Sequence, residues 1–277
     1  MLIRPPISLN CRRQYVRPRT VNLSINETIT RLMNSLTFML STYFMKKLIG
    51  FSAIFYSLCN YALAIEGATL IPPPNYNPPI VEKKFETIIL AGGCFWGLQG
   101  VYQHLKGVTQ AISGYAGGSA ETAHYETVSN GQTGHAEAVE VTYDPKKIRL
   151  GDILQVFFSV AHDPTQLNAQ GPDEGTQYRS AIFTKDKTQE KIAKDYIDQL
   201  NKTEIFKNKL ATKIELGKKF YPAEDYHQDY LEHNPTKPYI VFNDLPKINN
   251  LQKLYPQFYK ATPSLTAHSA KGSQTDH

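Results

Sequence analysis

Hydrophobic positions along this chain change period several times, and each change marks an element. Phe85 to Leu90 (Phe-Glu-Thr-Ile-Ile-Leu) predicts a strand, and Cys94 to Leu105, after the Gly92-Gly93 turn, a helix. Val108 to Tyr115 reads as a second strand. Ala136 to Tyr143 alternates strongly and reads as a third. Leu150 to Ala161 is an apolar helix, Tyr178 to Phe183 a strand, Lys185 to Lys202 an amphipathic helix and Ala211 to Leu216 another strand. Strand-helix-strand-strand-helix-strand is the split βαβ order. The expected fold class is therefore α+β: a two-layer sandwich with a mixed sheet and a ferredoxin-like core. Pro222 to Glu232 predicts one more helix, with proline in its first turn. From Asn234-Pro235 an irregular C-terminal wrap is expected.

The flanks read differently. Met45-Lys46-Lys47, the apolar run Leu48 to Tyr61 and Ala62-Leu63-Ala64 form a basic, an apolar and a small-residue region in the order of a secretory signal peptide. The run is short for a membrane span. The alternatives are an uncleaved anchor and a lipoprotein signal ending at Cys59, the latter disfavoured by bulky Leu58. The expected divisions are an N-terminal extension 1–44, a signal peptide 45–64, a proline-rich linker 65–84, a domain 85–260 and a disordered tail 261–277. Translation is read as starting at Met45, with a targeting extension as the other account of 1–44. Cleavage after Ala64 would give a secreted, periplasmic protein with no membrane anchor.

This division changes the charge picture. The formal net charge is +5, yet residues 1–64 carry eight lysines and arginines and a single acid, Glu27. The remainder is slightly acidic, so nucleic acid is not an expected partner. All four methionines also precede Ile65. Chance composition accounts for that, as does avoidance of self-oxidation in an oxidising compartment.

Cys94 is the one cysteine after Ile65, and it stands beside Phe95 and the single tryptophan, Trp96. A strand ending in Gly-Gly and feeding a helix places Cys94 at the helix N-terminus, where free N–H groups favour thiolate. The plain alternative is a small hydrophobe on a buried turn. Two large aromatics at a helix start cannot both face the core, so one is expected around the thiol. On the third strand, Glu137 shares a face with Val139, Val141 and Tyr143. Desolvation there would keep its carboxyl protonated and make it a proton donor; a solvated strand-end glutamate is the alternative. Tyr125, in a Gly/Ser-rich loop, and Tyr178 are candidate hydrogen-bond donors, or simply packing. No histidine pair has i, i+4 spacing and no C-x-x-C occurs, so no metal site is expected. A Cys94–His135 hydrolase dyad remains open at this level.

Six segments then appear in order: Gly93-Cys94-Phe95-Trp96-Gly97, Gly114 to Gly118, Gly134-His135-Ala136-Glu137-Ala138-Val139, His162-Asp163-Pro164, Gly175 to Ser180 and Tyr226-His227-Gln228. Together, from about Glu86 to Pro235, they closely resemble the A-type peptide methionine sulfoxide reductases. The resemblance implies that Cys94 attacks the sulfoxide sulfur and becomes a sulfenic acid. It implies that Glu137 protonates or hydrogen-bonds the sulfoxide oxygen, helped by Tyr125 and Tyr178. It implies that Phe95 and Trp96 form the pocket for the S-methyl group, and that Asp173 lies near the site, orienting water or Tyr178. Substrates would be the S epimer of methionine sulfoxide, free or in oxidised proteins.

One departure is plain. Many relatives carry resolving cysteines after the Asn-Pro element, whereas Ile240 stands near that place here. The end resembles the single-cysteine branch of the family. No metal or organic cofactor is implied, only an external thiol reductant, small or thioredoxin-like, acting on a monomer. The competing readings are another thiol enzyme, a peroxidase or Cys-His hydrolase, and a non-catalytic module that binds oxidised methionine. Thiol-dependent turnover of sulfoxide separates them.

Overall fold

The computed structural model describes residues 68–79 and 85–266. The expected signal peptide and N-terminal extension lie outside the described residues. Along the chain run β1 (Glu86–Ala91), α1 (Phe95–Gln103), β2 (Val108–Ala116), α2 (Tyr125–Val128), β3 (Ala136–Tyr143) and α3 (Leu150–Val156). Then come the short pair β4 (Ala169–Gln170) and β5 (Asp173–Glu174), β6 (Ala181–Thr184), α4 (Lys187–Leu200), β7 (Lys213–Leu216), β8 (Phe220–Pro222), α5 (Tyr230–His233) and α6 (Leu245–Leu254).

The main sheet has the order β7-β6-β1-β3-β2-β8. Its inner four strands, β6-β1-β3-β2, are antiparallel to their neighbours, and β7 joins β6 in parallel. That is the split βαβ arrangement expected for an α+β protein, extended by one strand on each side. The alternation of β3 explains its place. Val139, Val141 and Tyr143 face the main core with Leu98 and Tyr102 of α1, Ile153 and Leu154 of α3, and Ile192 and Tyr196 of α4. The opposite face is lined by Ala91, Ala116, Ala136, Ala138 and Ala181 around Phe183. Glu137 follows the first parity and so points inward. Helix α4 begins where Asp186 accepts from the N–H groups of Thr188 and Gln189, an N-cap that satisfies two orphan donors.

Five expectations differ from the structure. Residues 68–79 are not a free linker: Ile71 is buried in the core. Tyr196 donates to Pro72 O at 2.6 Å, Gln199 to Pro73 O at 2.9 Å and Gln155 to Ile71 O at 2.9 Å. An extended proline segment has no internal hydrogen bonds, so its carbonyls are free to accept from α3 and α4. At the other end, residues 261–266 continue the fold. Ser264 N–H donates to Gln103 O, and Thr266 bonds to the buried Asp229.

Tyr178 is not on a strand. It ends a 3-10 turn, Thr176–Tyr178, and β6 begins only at Ala181, where Ala91 and Lys213 supply partners on both sides. Pro222 to Glu232 is not one helix either. It divides into the end of β8, a 3-10 turn at Asp225–His227 and α5, because Asp229 adopts a left-handed conformation (φ 54) that breaks the helix. The expected irregular wrap is instead helical, a π turn at Ile240–Asp244 leading into α6.

Candidate active site

The site forms where β1 turns into α1. Gly93 has φ +90, and a Cβ there would collide with Gln170, so only glycine allows this turn. Cys94 is the N-cap of α1, 8% exposed. The Phe95 N–H donates to Glu137 Oε2 at 3.0 Å, and the backbone N–H of Trp96 favours the ionised form of the Cys94 sulfur. One of the orphan donors at this helix terminus therefore holds the carboxyl, beside the thiol that caps the helix.

Charge balance decides their protonation. Glu137 is 2% exposed. Burial pushes its carboxyl up to about 8, against the Phe95 N–H, with Asp173 and Asp244 adding to the rise. The sequence expectation of a protonated acid near neutrality fits this environment. The expected thiolate does not. Burial, followed by the negative charges of Glu137 and Asp244, holds the Cys94 thiol well above its usual range, and the Trp96 N–H only partly offsets them. A helix terminus favours thiolate by a modest amount, and desolvation outweighs it here.

Tyr125 and Tyr178 both feel the charges of Glu137, Cys94 and Asp173, which gathers all five groups into one cluster. Burial is the first cause in raising both phenols, so both remain O–H donors. Tyr125 is fixed through its N–H, which donates to Glu224 Oε1 at 3.0 Å. Tyr178 is fixed by its turn: Thr176 donates to Gly131 O and Gln177 to Ser129 O, clamping the turn onto the loop before β3. Arg179 completes the clamp by donating to Gly134 O while pairing with Glu215 at 3.0 Å.

Of the two rings expected to wall the substrate, Trp96 keeps surface and Phe95 is covered by Tyr115 and His227. Trp96 is held on several sides. Tyr230 stacks on it at 3.8 Å, Tyr239 meets it edge-on, and its indole N–H donates to His227 Nδ1 at 3.2 Å. Asp173 sits in the charge cluster, but the bond to its carboxylate comes from the hydroxyl of Tyr239 rather than Tyr178.

The remaining motif residues support the site. His162 donates through Nδ1 to Phe157 O and accepts from Ser180 through Nε2, and its burial lowers its pKa to about 4. Gln228 bridges Gln99 of α1 and Ser113 of β2. His135 spends both ring nitrogens on Gly118 N and Ser119 O, which leaves none for a dyad with Cys94. A cavity of about 380 Å³, lined by Thr69, His162, Ile205, Phe206 and Lys247 among others, contains none of the expected site residues.

Sequence reasoning missed Tyr239 and Asp244 because it expected an irregular segment where they lie, and Tyr230 because it placed that residue in one continuous helix with nothing to aim it at Trp96. His227 stood in a quoted motif, but nothing in a single sequence connects it to Trp96, 131 positions away.

The family model for peptide methionine sulfoxide reductase matches residues 86–258. Peptide methionine sulfoxide reductase MsrA 2 of Mesorhizobium japonicum is 62% identical over 180 residues, covering 65% of this chain and 92% of that protein. MsrA 2 of Synechocystis is 45% identical over 195 residues, covering 69% and 91%. The crystal structure of reduced Mxr1 from Saccharomyces cerevisiae superposes with a TM-score of 0.50 at 37% identity, covering 57% of this chain and 91% of that one.

Proposed function

The chain belongs to the peptide methionine sulfoxide reductase family, and from that membership we propose how its own residues carry the reaction. The protein is an oxidoreductase that reduces methionine sulfoxide to methionine, and so repairs oxidised proteins. In our reading the S epimer binds with its methyl group against Trp96 and its oxygen toward Glu137, Tyr125 and Tyr178. The Cys94 sulfur attacks the sulfoxide sulfur. Glu137 gives its proton to the sulfoxide oxygen, and the thiol proton replaces it on the carboxyl. The S–O bond, and the S–S bond made in the attack, then break as the hydroxyl passes to Cys94. Methionine leaves, reduced by two electrons, and Cys94 is left as a sulfenic acid, oxidised by two.

Neutral donors suit this substrate. A sulfoxide is a strong acceptor and a thioether is not, so loss of the oxygen leaves buried donors unpaired and favours release of the product. The observation that carries this reading is the common helix terminus: Glu137 bonded to the Phe95 N–H, with a pKa of about 8, beside the capping Cys94.

Recycling calls for an external thiol, small or thioredoxin-like, and for no bound cofactor. The thiol attacks the sulfenic sulfur and releases water, and a second thiol then frees Cys94. The support is that Cys94 is the one cysteine after Ile65 and that Ile240 stands near the resolving position. A secreted, periplasmic location and a monomeric state belong to the same proposal. The first rests on the signal pattern from Met45 to Ala64, and N-terminal sequencing of material from its host tests it. The reaction itself is tested with methionine sulfoxide and a dithiol. Wild type should release methionine and Cys94→Ser should not; equal activity would overturn the reading.

A further inference from the structure

The C-terminal element brings a second carboxylate to the nucleophile. Gly97 lies three positions after Cys94 on α1, and residues at i and i+3 share a helix face. A Cβ on Gly97 would collide with Asp244 Oδ1 and lie 3.0 Å from Lys247 Nζ. Asp244 is 0% exposed, and Lys247 Nζ stands 3.3 Å from its Oδ1, itself almost fully buried. So a carboxylate and an ammonium are pressed against the catalytic helix one turn beyond the thiol. The chain leaves only a hydrogen atom of room there, at the second glycine of the Gly-Cys-Phe-Trp-Gly motif. A buried ion pair is costly to desolvate and is weak evidence for stability by itself. Its position against Gly97 suggests another purpose.

We propose that Asp244, paired with Lys247 against the catalytic helix, is a positioning residue that sets the charge under which Cys94 and Glu137 work. This rests on the reading of Cys94 as the nucleophile. The groups around the thiol come from every element packed on it: Glu137 on β3, Asp173 on β5, Asp244 at the C-terminal turn, and the phenols Tyr125, Tyr178 and Tyr239. Asp244 opposes ionisation of both Cys94 and Glu137, and of the Tyr239 hydroxyl. Lys247 is felt at Asp173 and His162. The Asp244 carboxylate thus bears on the two groups that must hold a proton before the sulfoxide arrives. Its effect is to keep the resting thiol unreactive toward stray electrophiles and the acid loaded.

The test compares full-length wild type with Asp244→Asn, which keeps shape and removes charge. Alkylation of Cys94 by iodoacetamide, followed by peptide mass, is measured against pH, together with the pH profile of methionine release in a single turnover. The variant's alkylation profile should move to lower pH by about one pH unit, the scale of a nearby like charge. The alkaline limb of methionine release should move down with it. An unchanged pair of profiles in a folded variant would overturn the inference and leave Asp244 as packing alone. Should Asp244→Asn not fold, Asp244→Asn/Lys247→Met removes the carboxylate without stranding the lysine, and the same shift is expected. Activity retained by Cys94→Ser would instead sink the underlying reading. An inactive Cys94→Ser with unmoved Asp244→Asn profiles sinks only this inference.

Discussion

The backbone N–H of Phe95 donates to Glu137 Oε2 at 3.0 Å, which fastens the acid to the first residue of the helix that Cys94 caps. A strand-borne carboxyl and a helix-borne thiol thus move as one unit. Glu137→Gln keeps an acceptor for that N–H but has no proton of comparable acidity to give. It should slow single-turnover methionine release by roughly 10²–10⁴-fold, the usual worth of a positioned acid. Substrate binding should change far less. A near-wild-type rate would remove Glu137 from the mechanism.

The same group sets an alkaline limit. Glu137 acts while protonated, and its carboxyl titrates at about 8. The single-turnover rate should therefore be level below that pH and fall above it. In Glu137→Gln the residual rate should lack this limb. A wild-type rate that rises steadily through pH 8 to 9 would show instead that thiol ionisation governs the step.

Trp96 is braced by Tyr230, Tyr239 and His227 while keeping surface of its own. Trp96→Ala should weaken use of the methyl sulfoxide, measured as kcat/KM, by roughly 1–3 kcal/mol through lost apolar contact. Bulkier S-substituents should suffer less. An unaffected methyl substrate would place the methyl pocket elsewhere.

Part of this site was legible in the residues alone and part was not. The inward parity of Glu137 follows from the alternation of β3, and the place of Cys94 from Gly92-Gly93 before a helix. Both are local patterns with a fixed period. Local pattern misjudged the thiol's charge, because it depends first on burial and then on carboxylates brought from β3, the C-terminal turn and β5. It misjudged residues 68–79 for a similar reason. A proline-rich stretch reads as a spacer until the helices that donate to its carbonyls are in place.

His162 offers a test of stability rather than activity. Its folded pKa, about 4, lies below the ordinary 6.5, because burial disfavours the imidazolium. Between these values the unfolded chain binds the proton and the folded one does not. Stability should be level above pH about 6.5 and fall through the window down to about 4. The full loss from this group is about 3 kcal/mol. In His162→Asn that part of the acid slope should vanish, even if the variant is less stable at neutral pH. Denaturant titrations at several pH values compare the slopes, and parallel curves would mean that His162 charges without hindrance.

The last prediction concerns recycling. Ile240 is buried in the same core cluster as Cys94, and its neighbour Tyr239 reaches both Trp96 and Asp173. The C-terminal turn therefore passes over the site but brings no thiol with it. One equivalent of sulfoxide, without reductant, should leave a sulfenic acid on Cys94 that a cyclic dione traps, since sulfenic acids persist until a thiol condenses with them. Ile240→Cys supplies that thiol. After one turnover this variant should form a Cys94 disulfide, seen as a faster band on a non-reducing gel, and the dione adduct should disappear. A disulfide needs Cα atoms within about 7 Å, so the outcome measures how closely the turn approaches the thiol during the reaction. Persistent dione labelling in Ile240→Cys would show that Ile240 does not occupy the resolving position. Recycling would then depend wholly on an external thiol reaching Cys94 by another path.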